Sequence, residues 1–151
     1  MVCFLFSGGV FKIHISERFT IAIHIMSCVY YFEDTYLITS NFLASSIQVN
    51  PVIIRKIILQ LKAADLVKIS QGKTGIKKMK SPEEISLYDI YLAVECVGSG
   101  KLFHFHNPNP KCPVGEKIHD ALDGKLNEIQ DSMEEKLKQI SMRDILKGLE
   151  K

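Results

Sequence analysis

Two histidines one residue apart, His104 and His106, are followed six residues later by Cys112 in the stretch HFHNPNPKCPVG. With His119 they would make a borderline-soft donor set suited to zinc. The spacing fits no standard zinc pattern, and the reading adopted is no metal and no cofactor. A second chemistry is a sensor thiol. Cys112 precedes Pro113 at a predicted helix start, where the dipole favours the thiolate. The third reading is structural: the prolines of NPNPKCP hold a rigid extended turn, and Cys112 merely begins the next helix. A His/Cys hydrolase would need a base and an orienting acid convergent on the nucleophile. The chain offers no such constellation, so an enzyme is not expected.

The elements around this loop decide what it can serve. SERFTIAIHIMSCVYYF opens with Ser16 as a cap and carries two apolar stripes, one through Phe19, Ala22, Ile23, Met26 and Tyr30 and one through Ile21, Ile25, Cys28 and Phe32. Such a helix must be covered on two sides, by its own domain and by a further neighbour such as a partner subunit. His24, inside it, reads as a packed structural histidine. ITSNFLASSI predicts a short helix capped by Thr39 or Ser40. After the tight turn QVN, Asn50 caps a second helix whose Pro51 stands at its first position, where the missing N–H costs nothing. Ile54, Ile57, Ile58 and Leu61 face inward there, and Arg55, Lys56 and Lys62 outward.

Two short helices joined by a three-residue turn form the helix-turn-helix pattern, or an ordinary helical hairpin. LVKIS and IKKMK then read as strands around the turn QGKTG, a hairpin placed as a wing. Residues 55–80 hold Arg55, Lys56, Lys62, Lys68, Lys73, Lys77, Lys78 and Lys80 against Asp65 alone, in a chain of net charge +2. A local basic stripe in a near-neutral protein is the footprint of a nucleic-acid face, although a solvated surface can carry one too. A helix capped by Ser86 follows, burying Leu87, Ile90, Tyr91 and Val94. Residues 114–140 form a long amphipathic helix, interrupted by Gly124 and followed by a short C-terminal helix. Its stripe, centred on Leu122, Leu126, Ile129 and Met133, cannot be buried alone and predicts a dimer interface.

The chain has 151 residues, of which 46% are hydrophobic and 24% charged. That is an ordinary globular composition, with enough chain for one core. No apolar run approaches the ~18 residues of a membrane span. Cys3, Cys28, Cys96 and Cys112 show no disulfide framework, and a reducing cytoplasm is the expected location. The expected division is an extension over 1–11, a winged helix-turn-helix domain over 12–98, an effector-region loop over 99–113, and the dimerisation and C-terminal helices over 114–151. The fold class is mainly α with a small β-hairpin.

The segments SERFTIAIHIM, TSNFLASSIQVNPVIIRKIILQLKAADLV, EISLYDIYLAVE and NPNPKCPVG occur in order and closely resemble the Rrf2 family of bacterial winged-helix transcription regulators, in its YwnA-like branch, over residues 12–147. The resemblance implies a homodimer on a pseudo-palindromic operator of double-stranded DNA, with repression the expected effect. It implies a recognition helix starting at Asn50 and Pro51, with Val52, Arg55 and Lys56 on its exposed first turns, Ser40 at the backbone, and wing contacts from Gln71, Lys73, Lys77 and Lys78. Three departures stand out. Gln71 replaces the family's usual wing arginine, Gly75 is followed by Ile76 rather than glycine, and Asp65 occupies a usual glycine corner, which predicts strain there. Cluster-binding members use three cysteines in the loop, and only Cys112 matches one. The expected regulator therefore holds no iron–sulfur cluster. Its alternatives are a thiol-based redox sensor acting through Cys112, a regulator answering to a small molecule, and a helical interaction module that does not bind DNA.

Overall fold

The computed structural model describes residues 17–70, 75–95, 101–103 and 105–150. The expected N-terminal extension, Ser16, Cys3, Gln71, Lys73, Cys96 and His104 lie outside these residues. Helix α1 (Glu17–Phe32) is followed by α2 (Ser40–Ile47), α3 (Pro51–Ala63), strands β1 (Val67–Ser70) and β2 (Gly75–Lys78), a single 3-10 turn at Pro82–Glu84, α4 (Leu87–Glu95), α5 (Pro113–Lys138) and α6 (Met142–Leu149).

Helix α1 is the hub. It touches α2, α3, α4, α6 and β2, so each of its apolar stripes packs within its own chain, with Phe19, Ile21, Ile23, Tyr30 and Phe32 left half-buried. Ala22, Ile25, Met26 and Val29 are fully buried there, joined by Leu43 of α2, Ile54, Ile57 and Leu61 of α3, and Ile90 of α4. Burying each large aliphatic side chain of this set contributes roughly 1.5–3 kcal/mol relative to exposure. His24 is exposed. It falls between the two stripes, and its expected place in the core is taken by Ile25 and Cys28.

The caps stop the helices where their chemistry requires. Thr39 accepts the Phe42 N–H at 3.1 Å, and Asn50 accepts the Val52 N–H at 2.8 Å. Helix α3 ends in a paired closure. The Asp65 N–H reaches Lys62 O and the Leu66 N–H reaches Leu61 O, both at 3.0 Å, with Asp65 at φ 56°. This is a Schellman ending with aspartate in the left-handed position that glycine usually fills, so the expected strain has a definite location. Ser86 forms a reciprocal box with Asp89, and Ser141 with Asp144, at the starts of α4 and α6. The two starts are stitched together, with the Leu87 N–H on Ile140 O and the Met142 N–H on Ile85 O, both at 2.8 Å. This pairing seats Met142 in the core at full burial.

Helix α5 is of a different kind. None of its 26 residues is buried. It leans on α4, where Tyr88 donates to Glu134, and on Leu102, whose N–H Gln130 accepts. Its stripe stays incompletely covered, with Ile129 55% exposed and Leu122, Leu126 and Met133 half-buried.

Candidate nucleic-acid interface

Helices α2 and α3 meet at 114° across a three-residue turn. The angle lies in the ~90–120° range of helix-turn-helix units. Gln48, at φ 60°, makes the reversal, and its N–H returns to Ala44 O. Because α3 buries Ile54, Ile57, Ile58 and Leu61 against the hub, its other face is forced outward. That face carries Arg55, Lys56 and Lys62, all exposed, together with Val52 at 51% and Ile53 at 44% exposure. The structure brings Arg55 and Ser40 together, Nε donating to the hydroxyl at 3.4 Å. Asn50 also sits at this edge, with its side-chain oxygen engaged in capping, and Pro51 is half-buried beside it.

The hairpin lies next to α3 in an antiparallel register of Val67 with Lys78, Lys68 with Lys77, and Ile69 with Ile76. It is docked by its outer edge. The Ile76 N–H donates to Ile38 O at 3.0 Å, and the Lys78 N–H to Glu33 Oε2 at 3.2 Å. Gly75 is required at φ 65°, since a Cβ there would stand 2.6 Å from Ile38 O. Lys68 and Lys80 are exposed, whereas Lys77 and Lys78 are half-buried beside Glu33. Sequence reasoning did not single out Glu33. Its signal was a carboxylate at the C-terminal end of an apolar helix, where the dipole disfavours negative charge and a compensating cation is called for.

Between α5 and the loop before it, His119 Nε2 of the helix lies 2.9 Å from His106 O, and the two imidazoles meet edge to face at 6.0 Å. Cys112 is exposed and is the N-cap residue of α5. Its sulfur makes no side-chain capping bond, but the amides of Gly115 and Val114 draw the thiol below the usual cysteine range. Cys28 is the opposite case. Burial pushes its thiol up, offset in part by Ser46 at 3.7 Å. Gly115 allows α5 to begin against the loop, for a Cβ there would stand 2.3 Å from Asn109 O.

A helix pair at this angle, followed by an edge-docked hairpin, defines a winged-helix DNA-binding regulator. The chain belongs to the Rrf2 family, whose model, described as an iron-dependent transcriptional regulator, matches residues 15–148. It is 40% identical over 136 residues to YwnA of Bacillus subtilis (strain 168), named as a candidate HTH-type transcriptional regulator. That match covers 89% of this chain and 98% of the relative. Among solved structures, a crystal structure titled as a candidate DNA-binding protein matches with TM-score 0.68 and 35% identity over 85% of this chain and 98% of its own. CymR of Staphylococcus aureus matches with TM-score 0.65 and 17% identity over 87% and 96%, a likeness of fold. The family is one of regulators and not of enzymes.

The described residues do not offer the donors that the iron in the family description would need. Among the described residues no three His, Cys, Asp or Glu side chains gather as a metal-ligating group. Cys112 is the one cysteine after residue 96, and an iron–sulfur cluster needs about four protein ligands. Among the described residues no single helix is long and apolar enough to cross a membrane.

Proposed function

We propose that the protein acts as a homodimeric repressor on a pseudo-palindromic operator, with α3 in the major groove and the hairpin at the adjacent backbone. The observation that carries this reading is the outward face of α3, where Arg55 and Lys56 stand exposed at the end that the 114° turn presents. Arg55 is the base reader, suited to a bidentate pair with guanine. Val52 and Lys56 flank it, Ser40 and Asn50 lie at the phosphate edge, and Gln71, Lys73, Lys77 and Lys78 belong to the wing. Residues 12–98 are the DNA-binding unit and α5 is the dimerisation element, through Leu122, Leu126, Ile129 and Met133. The half-covered stripe supports that role, because an apolar seam of this length gains by pairing with its twin.

Selection of bound duplexes from a random pool by the purified protein tests the reading. A two-fold symmetric sequence supports it, and a protein that enriches nothing rules it out. A helical interaction module would share α5 but would show no salt-dependent DNA binding. Ile129→Glu should convert the dimer to a monomer by light scattering and abolish binding to a full operator. A second reading, a thiol-sensing regulator, draws on the exposed, low-lying Cys112 thiol. Loss of operator affinity on peroxide treatment, absent in Cys112→Ser, would establish it.

A further inference from the structure

Glu33 follows the last turn of α1, where the helix dipole opposes a carboxylate, yet only 14% of its side chain is exposed. What holds it is β2. One carboxylate oxygen accepts the Lys78 N–H at 3.2 Å, and the carboxylate lies 3.8 Å from Lys77 Nζ and 3.7 Å from Lys78 Nζ. The Glu33 backbone oxygen takes a further hydrogen bond from Lys77 Nζ at 3.2 Å. Tyr30, one turn earlier, donates to Lys80 O at 2.8 Å, and its ring stands 5.9 Å from Lys78 Nζ. Glu33, Lys77 and Lys78 line one surface cleft, and the other carboxylate in it, Glu84, is engaged by the N–H and hydroxyl of Ser81. Glu33 thus does two separable things. It satisfies an edge amide of the wing, which requires only an acceptor. It also places one negative charge between two lysines, which requires the charge.

We infer that Glu33 is an internal competitor of phosphate, restraining Lys77 and Lys78 so that the wing binds random DNA less tightly than its lysine count would allow. The inference rests on the DNA-binding reading above. Non-specific binding is almost wholly electrostatic, and each lysine delivered to a phosphate steepens its salt dependence by about one unit of log–log slope. A lysine already paired with a carboxylate at 3.7 Å gains less from a loosely seated phosphate than a free one would. It moves only when a seated operator offers several phosphates at once. Glu33 therefore widens the gap between operator and random DNA without touching a base.

Glu33→Gln keeps an acceptor for the Lys78 N–H and removes the charge. Affinity for a fixed random-sequence duplex would be followed by fluorescence anisotropy from about 50 to 200 mM salt. The variant should bind more tightly at the low end and lose roughly three- to fourfold more of its affinity across that range than the parent protein, the effect of about one further charge delivered to phosphate, with an unchanged unfolding temperature. Adding Lys77→Ala and Lys78→Ala to Glu33→Gln should cancel the gain. Should Glu33→Gln fold poorly, the same two lysine substitutions in the parent protein decide: a slope change of about one or less supports restraint, and a loss of about two overturns it. Equal slopes for the parent and a well-folded Glu33→Gln overturn the inference and leave the DNA-binding reading standing. A parent protein whose DNA affinity ignores salt overturns the reading beneath it.

Discussion

Arg55 donates from Nε to the hydroxyl of Ser40 at 3.4 Å, linking the exposed face of α3 to the first residue of α2. The bond is long, but it leaves both Nη groups for a bidentate partner while restricting where the guanidinium swings. Arg55→Ala should therefore cost about 1–3 kcal/mol on the preferred operator and relax choice at a single base position. On random duplex it should remove only about one phosphate-equivalent of salt slope. Base selection repeated with the variant checks this. A uniform loss at every position would make Arg55 a backbone contact instead.

Asp65 stands at φ 56° in the closure between α3 and β1, a conformation most L-residues adopt at a cost of roughly 1–2 kcal/mol. Asp65→Gly keeps the paired bonds to Lys62 O and Leu61 O and removes the clash. Part of the relief is returned through the freer unfolded chain. A net gain of about 0.5–1 kcal/mol in unfolding free energy is expected, read by denaturant titration at constant m-value.

The helix order, Asn50 and Pro51 at the start of α3, and the aliphatic face of α3 were legible because they rest on local rules, side-chain capping and a 3.6-residue period. The left-handed corner at Asp65 was legible from the resemblance, since only a mismatched residue type marked it. His24 was misread because two apolar stripes flank it, and periodicity alone does not say which intervening position meets solvent. The packing of α6 against α1 was hidden for a related reason. The stitch between Ile85, Leu87, Ile140 and Met142 spans more than fifty residues and depends on backbone pairing that no side-chain pattern encodes. Glu33 was missed because its partners lie more than forty residues onward on a strand whose lysines suggested free charge.

Two glycines in α5 invite opposite outcomes. Gly124 has nothing within 4 Å of an added Cβ, whereas at Gly115 the same atom would meet Asn109 O at 2.3 Å. Gly124→Ala should raise stability by about 1 kcal/mol, the ordinary helix-propensity gain, with no change in assembly. Gly115→Ala must push the 105–109 loop off the helix start and should lower stability. Thermal unfolding of the pair separates them. A destabilising Gly124→Ala would instead mean that a partner helix crosses tightly at that point.

Cys112 joins an exposed thiol to a helix start, and the Gly115 and Val114 amides favour its thiolate. The sign follows directly. A thiol drawn down by the folded helix ionises at lower pH than in the unfolded chain, so its alkylation by iodoacetamide should rise through a midpoint below that of the denatured protein. Buried Cys28, pushed the other way, should stay inert until unfolding. Peptide mapping after partial alkylation at a series of pH values reads each cysteine separately, and a Cys112 midpoint equal in folded and denatured protein would remove the basis for a sensor thiol. The same residue bears on iron. With one cysteine after residue 96, a cluster calling for about four protein ligands finds too few. Protein purified without air should be colourless and hold no stoichiometric iron. A brown, iron-loaded preparation that bleaches in air would place this chain among the cluster-bearing regulators and require ligands from both subunits to converge.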